Sequence, residues 1–116
     1  MKTTEKHFKI FKEECERLIK LWGLTGWKVY YEHTQLQEKY ASMSTDLDNQ
    51  VSSIALNTEW QELRPLNDDE IRKVAKHETI HLLLARLSDL GASRYVSSLE
   101  LKSAEEDIVH KLEGLL

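Results

Sequence analysis

Two histidines four residues apart, with a glutamate between them, constrain this chain more than any other feature. His77, Glu78 and His81 spell the pattern H-E-x-x-H. On an α-helix the two histidines are separated by about 40° of rotation and one turn of rise, so both imidazoles can reach one metal ion. Glu78 points about 100° away from His77, which places its carboxylate beside the metal rather than on it. The segment is therefore expected to be a helix that carries two metal ligands.

The residues around this motif predict a capped and buried helix from about 68 to 88. Asn67 or Asp68 makes a good N-cap, and the acidic residues that follow favour the first turn. After His81 the segment is apolar nearly all round, with three consecutive leucines and a further one at position 87. Two histidines that lead into a buried helix are poorly explained as surface residues, so the pattern indicates a metal site.

The first part of the chain predicts an amphipathic helix over residues 4–22. Phe8, Phe11 and Cys15 begin a run of apolar residues at helical spacing, and Gly23 is suited to end the helix. Cys15 lies on the apolar face, where it is expected to be a small buried hydrophobe and not a nucleophile.

Three strand-like segments follow this helix. Residues 27–32 alternate between apolar and polar side chains, the period of a half-buried strand. Residues 39–46 and 51–57 are weaker strand candidates, and the short polar side chains of 46–50 favour a turn between them. The three segments are expected to form a small antiparallel sheet.

The last part of the chain predicts a loop and a final helix. Gly91 breaks the helical pattern, which places a loop at 88–93, and a helix should run from about 98 to 115. Its inward side is expected to carry the apolar residues Leu101, Ile108, Val109, Leu112 and Leu116. The whole chain, residues 1–116, is thus expected to be a single α+β domain.

Composition limits the classes of function and setting. The net charge is −4 and there is no Lys/Arg block, so nucleic-acid binding is not favoured. Cys15 is the only cysteine, which excludes a disulfide framework and a cysteine zinc ribbon. The start of the chain lacks the apolar run of a secretory signal, and no stretch has the length of a membrane span. A cytoplasmic setting is expected.

A third metal ligand must come from the final helix, because catalytic zinc usually takes three protein ligands and leaves one position for water. Glu105 falls on the inward apolar face, where a carboxylate is costly unless it is paired or metal-bound. Glu106 and His110 fall on a polar face that is expected to be solvated, and Asp107 also points outward. Glu105 is therefore the favoured third ligand of one Zn²⁺ per chain, with Glu106 and His110 as alternatives.

The order of these elements resembles the gluzincins, the zinc peptidases in which a glutamate on a second helix completes the H-E-x-x-H site. The small size is similar to the minimal single-domain gluzincins, the minigluzincins, and to small phage-type zinc metallopeptidases. The metzincin extension is excluded, since positions 84 and 87 are leucine instead of Gly and His. The Asn-Glu-x-x-x-Asp form of the gluzincin glutamate helix is also absent around Glu105, which follows Ala104 and precedes Val109 at the Asp position.

This resemblance implies a zinc metallopeptidase that cleaves a peptide or protein substrate. His77, His81 and Glu105 would hold zinc, and Glu78 would activate a zinc-bound water whose pKa falls to about 7. The strand before the motif helix, residues 51–57, would lie at the sheet edge and pair with an extended substrate.

Some features of this function stay open in the sequence. Tyr95 and His110 are candidates for stabilising the oxyanion. The first alternative function is a latent or non-catalytic zinc-binding module that acts through a protein partner. The second is a SprT-like protease that acts at DNA, which is disfavoured because a cysteine-rich zinc ribbon and a basic charge balance are both missing.

Overall fold

Three helices and a mixed three-stranded sheet form the fold, as described by the computed structural model for residues 1–92 and 97–115. The α+β class predicted from the sequence is confirmed. In chain order the elements are α1 (Glu5–Leu21), β1 (Lys28–Thr34), β2 (Ala41–Asp46), β3 (Val51–Asn57), α2 (Asp68–Ala92) and α3 (Ser98–Leu115). None of the helices in the described ranges is both long and apolar enough to cross a membrane.

Helix α1 begins at a capping box, as its sequence favours. Thr4 accepts a hydrogen bond from the His7 backbone N–H, and the Thr4 backbone N–H donates to His7 Nδ1 at 3.0 Å. The helix ends at Leu21 with Trp22 as its C-cap, and Gly23 follows with φ of +69°, the left-handed conformation that glycine adopts at little cost. The predicted helix and its stop are confirmed.

The sheet is mixed, so the prediction of a fully antiparallel sheet was wrong. The strand order is β1-β3-β2, with β1 parallel and β2 antiparallel to β3. After β1 the chain crosses the end of β3 and forms β2 on the other side of it. The buried side chain of Asn57 binds this connecting segment. Asn57 donates to the carbonyl oxygens of Leu36 and Lys39 and accepts from the Leu36 N–H. These long-range bonds hold the segment that connects β1 to β2.

The central position of β3 also corrects the expectation that residues 51–57 form the sheet edge. β3 is hydrogen-bonded on both sides, whereas β2 pairs only with β3 among the described residues. The turn between them forms as predicted, since the Asp46 carboxylate accepts from the backbone N–H and the side chain of Asn49. The edge that can accept another strand beside the motif helix is therefore β2.

The main hydrophobic core joins α1, the sheet and the first half of α2. Cys15 is fully buried in it, with its Sγ atom 3.7 Å from the Ala75 carbonyl oxygen. Burial raises the pKa of this thiol to about 12, in keeping with its expected role as a packed hydrophobe. The other core residues are Phe11, Ala41, Ile54, Leu56, Trp60, Ile71, Val74 and Ala75.

Helix α2 differs from its prediction in length and burial. It continues to Ala92, so the loop expected at 88–93 was wrong over 88–92; residue 93 lies outside the described ranges. Gly91 destabilises the helix by only about 1 kcal/mol relative to alanine, and the helical hydrogen bonds and packing of the rest of α2 are sufficient to offset this cost. The second half is not buried all round, because Leu83 and Leu87 are 37% and 61% exposed.

Helix α3 packs on α2 and runs antiparallel to it. Val109 is fully buried, as expected, but Ile108 is 41% exposed and the prediction that it faces inward was wrong. The helix is turned so that the half-buried positions Leu101, Glu105, Glu106, Leu112 and Glu113 border the buried face. The predicted inward position of Leu116 lies outside the described residues.

Candidate metal centre

Helix α2 brings the two histidines of the motif together, as the spacing predicts. His77 and His81 lie one turn apart, and their Nε2 atoms are 3.3 Å from each other. Both side chains are partly buried, at 24% and 21% exposure, because α3 covers them from one side. Two nitrogen ligands thus converge on one point at the surface of α2.

Glu106 on α3 completes a group of three ligand atoms. Its Oε1 atom lies 3.3 Å from His77 Nε2 and 2.8 Å from His81 Nε2. Ligand atoms of a tetrahedral zinc ion, each about 2.0–2.1 Å from the metal, lie about 3.3–3.4 Å apart. Two of the three separations have this length and the third is slightly shorter. This His-His-Glu group has the donor types and the spacing to hold a metal ion.

Glu105 contacts the same histidine pair from the outside. Its Oε1 atom lies 3.3 Å from His81 Nδ1, the ring nitrogen that faces away from the cluster. The side chain is 14% exposed against 39% for Glu106, so Glu105 is the more inward of the two, as expected. Glu106 is not the solvated side chain that its polar helix face suggested, since it touches both histidines.

Glu113 engages the outer nitrogen of the other histidine. Its Oε2 atom lies 2.9 Å from His77 Nδ1, and its Oε1 atom lies 2.8 Å from His110 Nδ1. A carboxylate on the outer nitrogen fixes the ring orientation and leaves Nε2 free for a metal. His77 and His81 therefore each have one carboxylate, from Glu113 and Glu105, on the ring nitrogen that faces away from the cluster.

Sequence reasoning missed Glu113, although a signal for it was present. Glu106, His110 and Glu113 follow one another at i, i+4 and i+7, which places them on one side of α3. This polar stripe suggested a solvated face, yet it borders the histidines of α2. His110 itself is exposed, and its ring centroid lies 5.3 Å from that of His77. Tyr95, the other predicted oxyanion candidate, lies outside the described residues.

Glu78 is buried beside the cluster. Glu78 lines both cavities at this site, and among the described side chains no hydrogen bond or ion pair engages its carboxylate. Burial raises the pKa of the Glu78 carboxyl above its ordinary value, while His77 and His81 oppose the shift. A carboxylate with a raised pKa is a stronger base than one in open water.

Two cavities meet at this centre. The larger, about 980 Å³, extends between β2, α2 and α3, and the smaller, about 540 Å³, opens toward the start of α2. Ala41, His77 and Glu78 line both. The candidate metal centre thus lies at the junction of two open spaces, where a bound molecule could extend to either side.

The chain matches no protein-family model, no curated protein and no solved structure. The function is therefore argued from the geometry of the centre and its surroundings.

Proposed function

We propose that the protein is a zinc-dependent peptidase in which His77, His81 and Glu106 hold the metal and Glu78 is the general base. The observation that carries this proposal is the convergence of two Nε2 atoms and one carboxylate oxygen within 3.3 Å of one another. Glu106 replaces Glu105 as the proposed third ligand, because only Glu106 reaches both Nε2 atoms. Glu105 then orients His81 from the opposite ring nitrogen.

The donor set fits zinc. Two imidazoles and one carboxylate are the ligands of catalytic zinc in several peptidases, and zinc accepts these donors in a tetrahedral arrangement with a fourth position open. When bound, zinc lowers the pKa of a coordinated water to about 7 and polarises a carbonyl oxygen. The outer carboxylates of Glu105 and Glu113 hold the two imidazoles for this task.

Glu78 supplies the proton transfer that peptide hydrolysis requires. Its carboxylate is buried, is near the histidine pair, and has no competing partner among the described residues. It would accept a proton as water attacks the peptide carbonyl and would then deliver that proton to the leaving amine nitrogen.

The free edge of β2 offers a place for the substrate backbone. Ala41 at the start of β2 lies beside His77 and Glu78 in both cavities, so a peptide added along this edge would pass the centre. An extended peptide gains main-chain hydrogen bonds when it adds to an open strand edge. This assignment moves the proposed substrate strand from 51–57, as the resemblance implied, to residues 41–46.

Metal analysis of purified variants tests the ligand set. Wild-type protein should contain one zinc per chain, which His81→Ala and Glu106→Ala should lose. Glu105→Ala should retain it with reduced affinity, because Glu105 contacts only the outer nitrogen of His81. Zinc retained in Glu106→Ala and lost in Glu105→Ala would show that Glu105 is the third ligand.

Cleavage of a broad peptide library tests the reaction. Glu78→Gln should retain zinc and lose at least about 100-fold in cleavage rate, because it removes the general base. Glu100→Gln, an exposed change on α3, is the matched control and should cleave as wild type does. Zinc bound by wild-type protein that cuts no library peptide would refute the peptidase and favour a non-catalytic zinc module.

A further inference from the structure

We propose that the substrate groove selects extended peptides by charge, with basic residues on the N-terminal side of the bound segment and acidic groups on its C-terminal side. This inference rests on the proposed function, because it takes the centre at His77 and Glu78 as the place where the peptide backbone passes. It adds the class of peptide and the direction in which it lies.

Five of the six residues of β2 line the larger cavity, including both ends of the strand. Ala41, Ser42, Met43, Thr45 and Asp46 all line it, and the outer edge of β2 pairs with no other described strand. Six residues of extended backbone span about 20 Å. The groove can therefore hold a segment of about six peptide residues.

The groove has a defined direction, because β2 and α2 run the same way along it. Ala41 lies with Glu78 in both cavities, whereas Asp46 lines only the larger one together with Asp89. Residues 41 and 46 are about 17 Å apart along the strand, and residues 78 and 89 are about 17 Å apart along the helix. Strand β2 and helix α2 thus extend the same distance along the groove, which places Asp46 and Asp89 at its far end.

The far end of the groove is acidic. Asp46, Asp48 and Asp89 line the larger cavity there, and Lys102 lines the same cavity. Among the residues whose side chains the structure describes, none forms an ion pair with these three carboxylates, and the hydrogen bonds from Asn49 lower the pKa of Asp46. A peptide segment with lysine or arginine is favoured at this end.

The opposite side of the centre carries three cationic side chains. The smaller cavity is lined by Arg64, Lys73 and Lys76 beside the acidic groups of the centre itself. Glu70 pairs with Arg64 and Lys73, while Lys76 has no ion-pair partner among the described residues. An acidic side chain or a terminal carboxylate is favoured on this side.

The polarity of the groove and the direction of β2 together orient the peptide. Antiparallel pairs are the more stable and outnumber parallel ones about two- to threefold. A peptide antiparallel to β2 places its N-terminal residues beside Asp46 and its C-terminal residues beyond Ala41, toward Lys76. Basic residues should therefore come first in the bound segment and acidic residues last.

Two peptides of identical composition test this inference. One carries two lysines before a neutral centre and two glutamates after it, and the other carries the same groups in reverse order. Each has the same fluorophore at the same position, and binding to zinc-loaded Glu78→Gln protein is measured by fluorescence anisotropy at low and high salt. The variant Asp48→Asn with Asp89→Asn removes two groove charges, while Asp107→Asn with Glu16→Gln removes two exposed charges outside both cavities.

The basic-first peptide should bind about 3- to 10-fold more tightly than its reverse at low salt, and less so at high salt. The groove variant should lose this preference and the control variant should keep it. Equal binding of the two peptides, a preference for the reversed one, or no binding of either would overturn the inference. Cleavage by wild-type protein is scored separately: charge-dependent binding without cleavage would refute the proposed peptidase activity and leave the charge selection intact.

Discussion

The carboxylate of Glu113 is expected to set how tightly the centre holds its metal. Its Oε2 atom lies 2.9 Å from His77 Nδ1, and only 26% of the side chain is exposed. When His77 binds through Nε2, its Nδ1 carries the proton and donates a hydrogen bond to Glu113, which fixes the tautomer and the orientation of the ring. Loss of this contact should therefore weaken metal binding although Glu113 does not touch the metal.

The size of this effect follows from the kind of hydrogen bond. Glu113→Gln keeps an acceptor oxygen but replaces a bond to a charged group, about 1.5–3 kcal/mol, by a neutral one of about 0.5–1.5 kcal/mol. The difference of about 1–1.5 kcal/mol corresponds to about a tenfold loss of zinc affinity. Glu113→Ala removes the acceptor as well and should lie toward the upper part of the about 10- to 100-fold range for such outer contacts.

Zinc competition against a chromophoric chelator at fixed pH measures this loss. Glu105→Gln should have a smaller effect, since its contact with His81 is 3.3 Å against 2.9 Å for Glu113. The exposed change Glu100→Gln on the same helix is the control, and the melting temperature of the metal-free variants separates lost affinity from lost folding. Zinc affinity within about twofold of wild type in both Glu113 variants would refute the role of the outer carboxylate.

Three further predictions concern the fold. Cys15, with a pKa of about 12, should not react with a thiol reagent in the native protein and should react fully in urea. Burial lowers the pKa of His33, so the unfolded chain takes up a proton at a higher pH than the folded chain does. The contribution of His33 to the free energy of unfolding should be fully present above the unfolded pKa near 6.5 and should be lost as the pH falls through the folded pKa. His33→Gln should remove this pH dependence from unfolding measurements. Asn57→Ala deletes four side-chain hydrogen bonds and should cost about 2–4 kcal/mol in urea unfolding, whereas the exposed Asn49→Ala should cost about 1 kcal/mol or less.

The parts of the centre that depend on local spacing could be predicted from the sequence. The separation of His77 and His81 by one helical turn requires no tertiary information, and the structure places their Nε2 atoms at 3.3 Å. The capping of α1 and the turn after Asp46 are also local, because short polar side chains bond to nearby backbone groups. These features follow from residues within one turn of each other.

The identity of the proposed third ligand depends on how α3 is rotated against α2, and the local sequence pattern cannot determine this rotation. Glu105 and Glu106 differ by about 100° around the helix, so a modest rotation exchanges the residue that reaches the inner nitrogens. Apolar periodicity included Ile108 in the buried face, but packing on α2 leaves it 41% exposed and turns Glu106 toward the histidines. Polar residues at i, i+4 and i+7 can form either a solvent-exposed face or a face that carries metal ligands. Which of the two they form depends on how the neighbouring helix packs against them.

The sheet order depends on contacts that are still more distant in sequence. Successive strands with a turn between them are usually neighbours, which favoured a simple antiparallel sheet. Here Asn57, at the end of β3, binds the segment between β1 and β2 across about twenty residues and holds it over the end of the central strand. This crossing makes β2 the open edge beside α2, and with it the wall of the larger cavity.

Metal binding and the docking of α3 are thermodynamically linked in this arrangement. Among the described residues, the main core cluster joins α1, the sheet and the first half of α2, and the buried Val109 of α3 lies outside that cluster. Two proposed ligands lie on α2 and the third, Glu106, lies on α3, so a metal that requires all three binds only the docked state and stabilises it. Glu105 and Glu113 lie on α3 as well, so undocking would remove one ligand and both outer carboxylates in one step. In the proposed centre, the motif on α2 therefore supplies the base and two ligands, and the packing of α3 supplies the third ligand and both outer carboxylates.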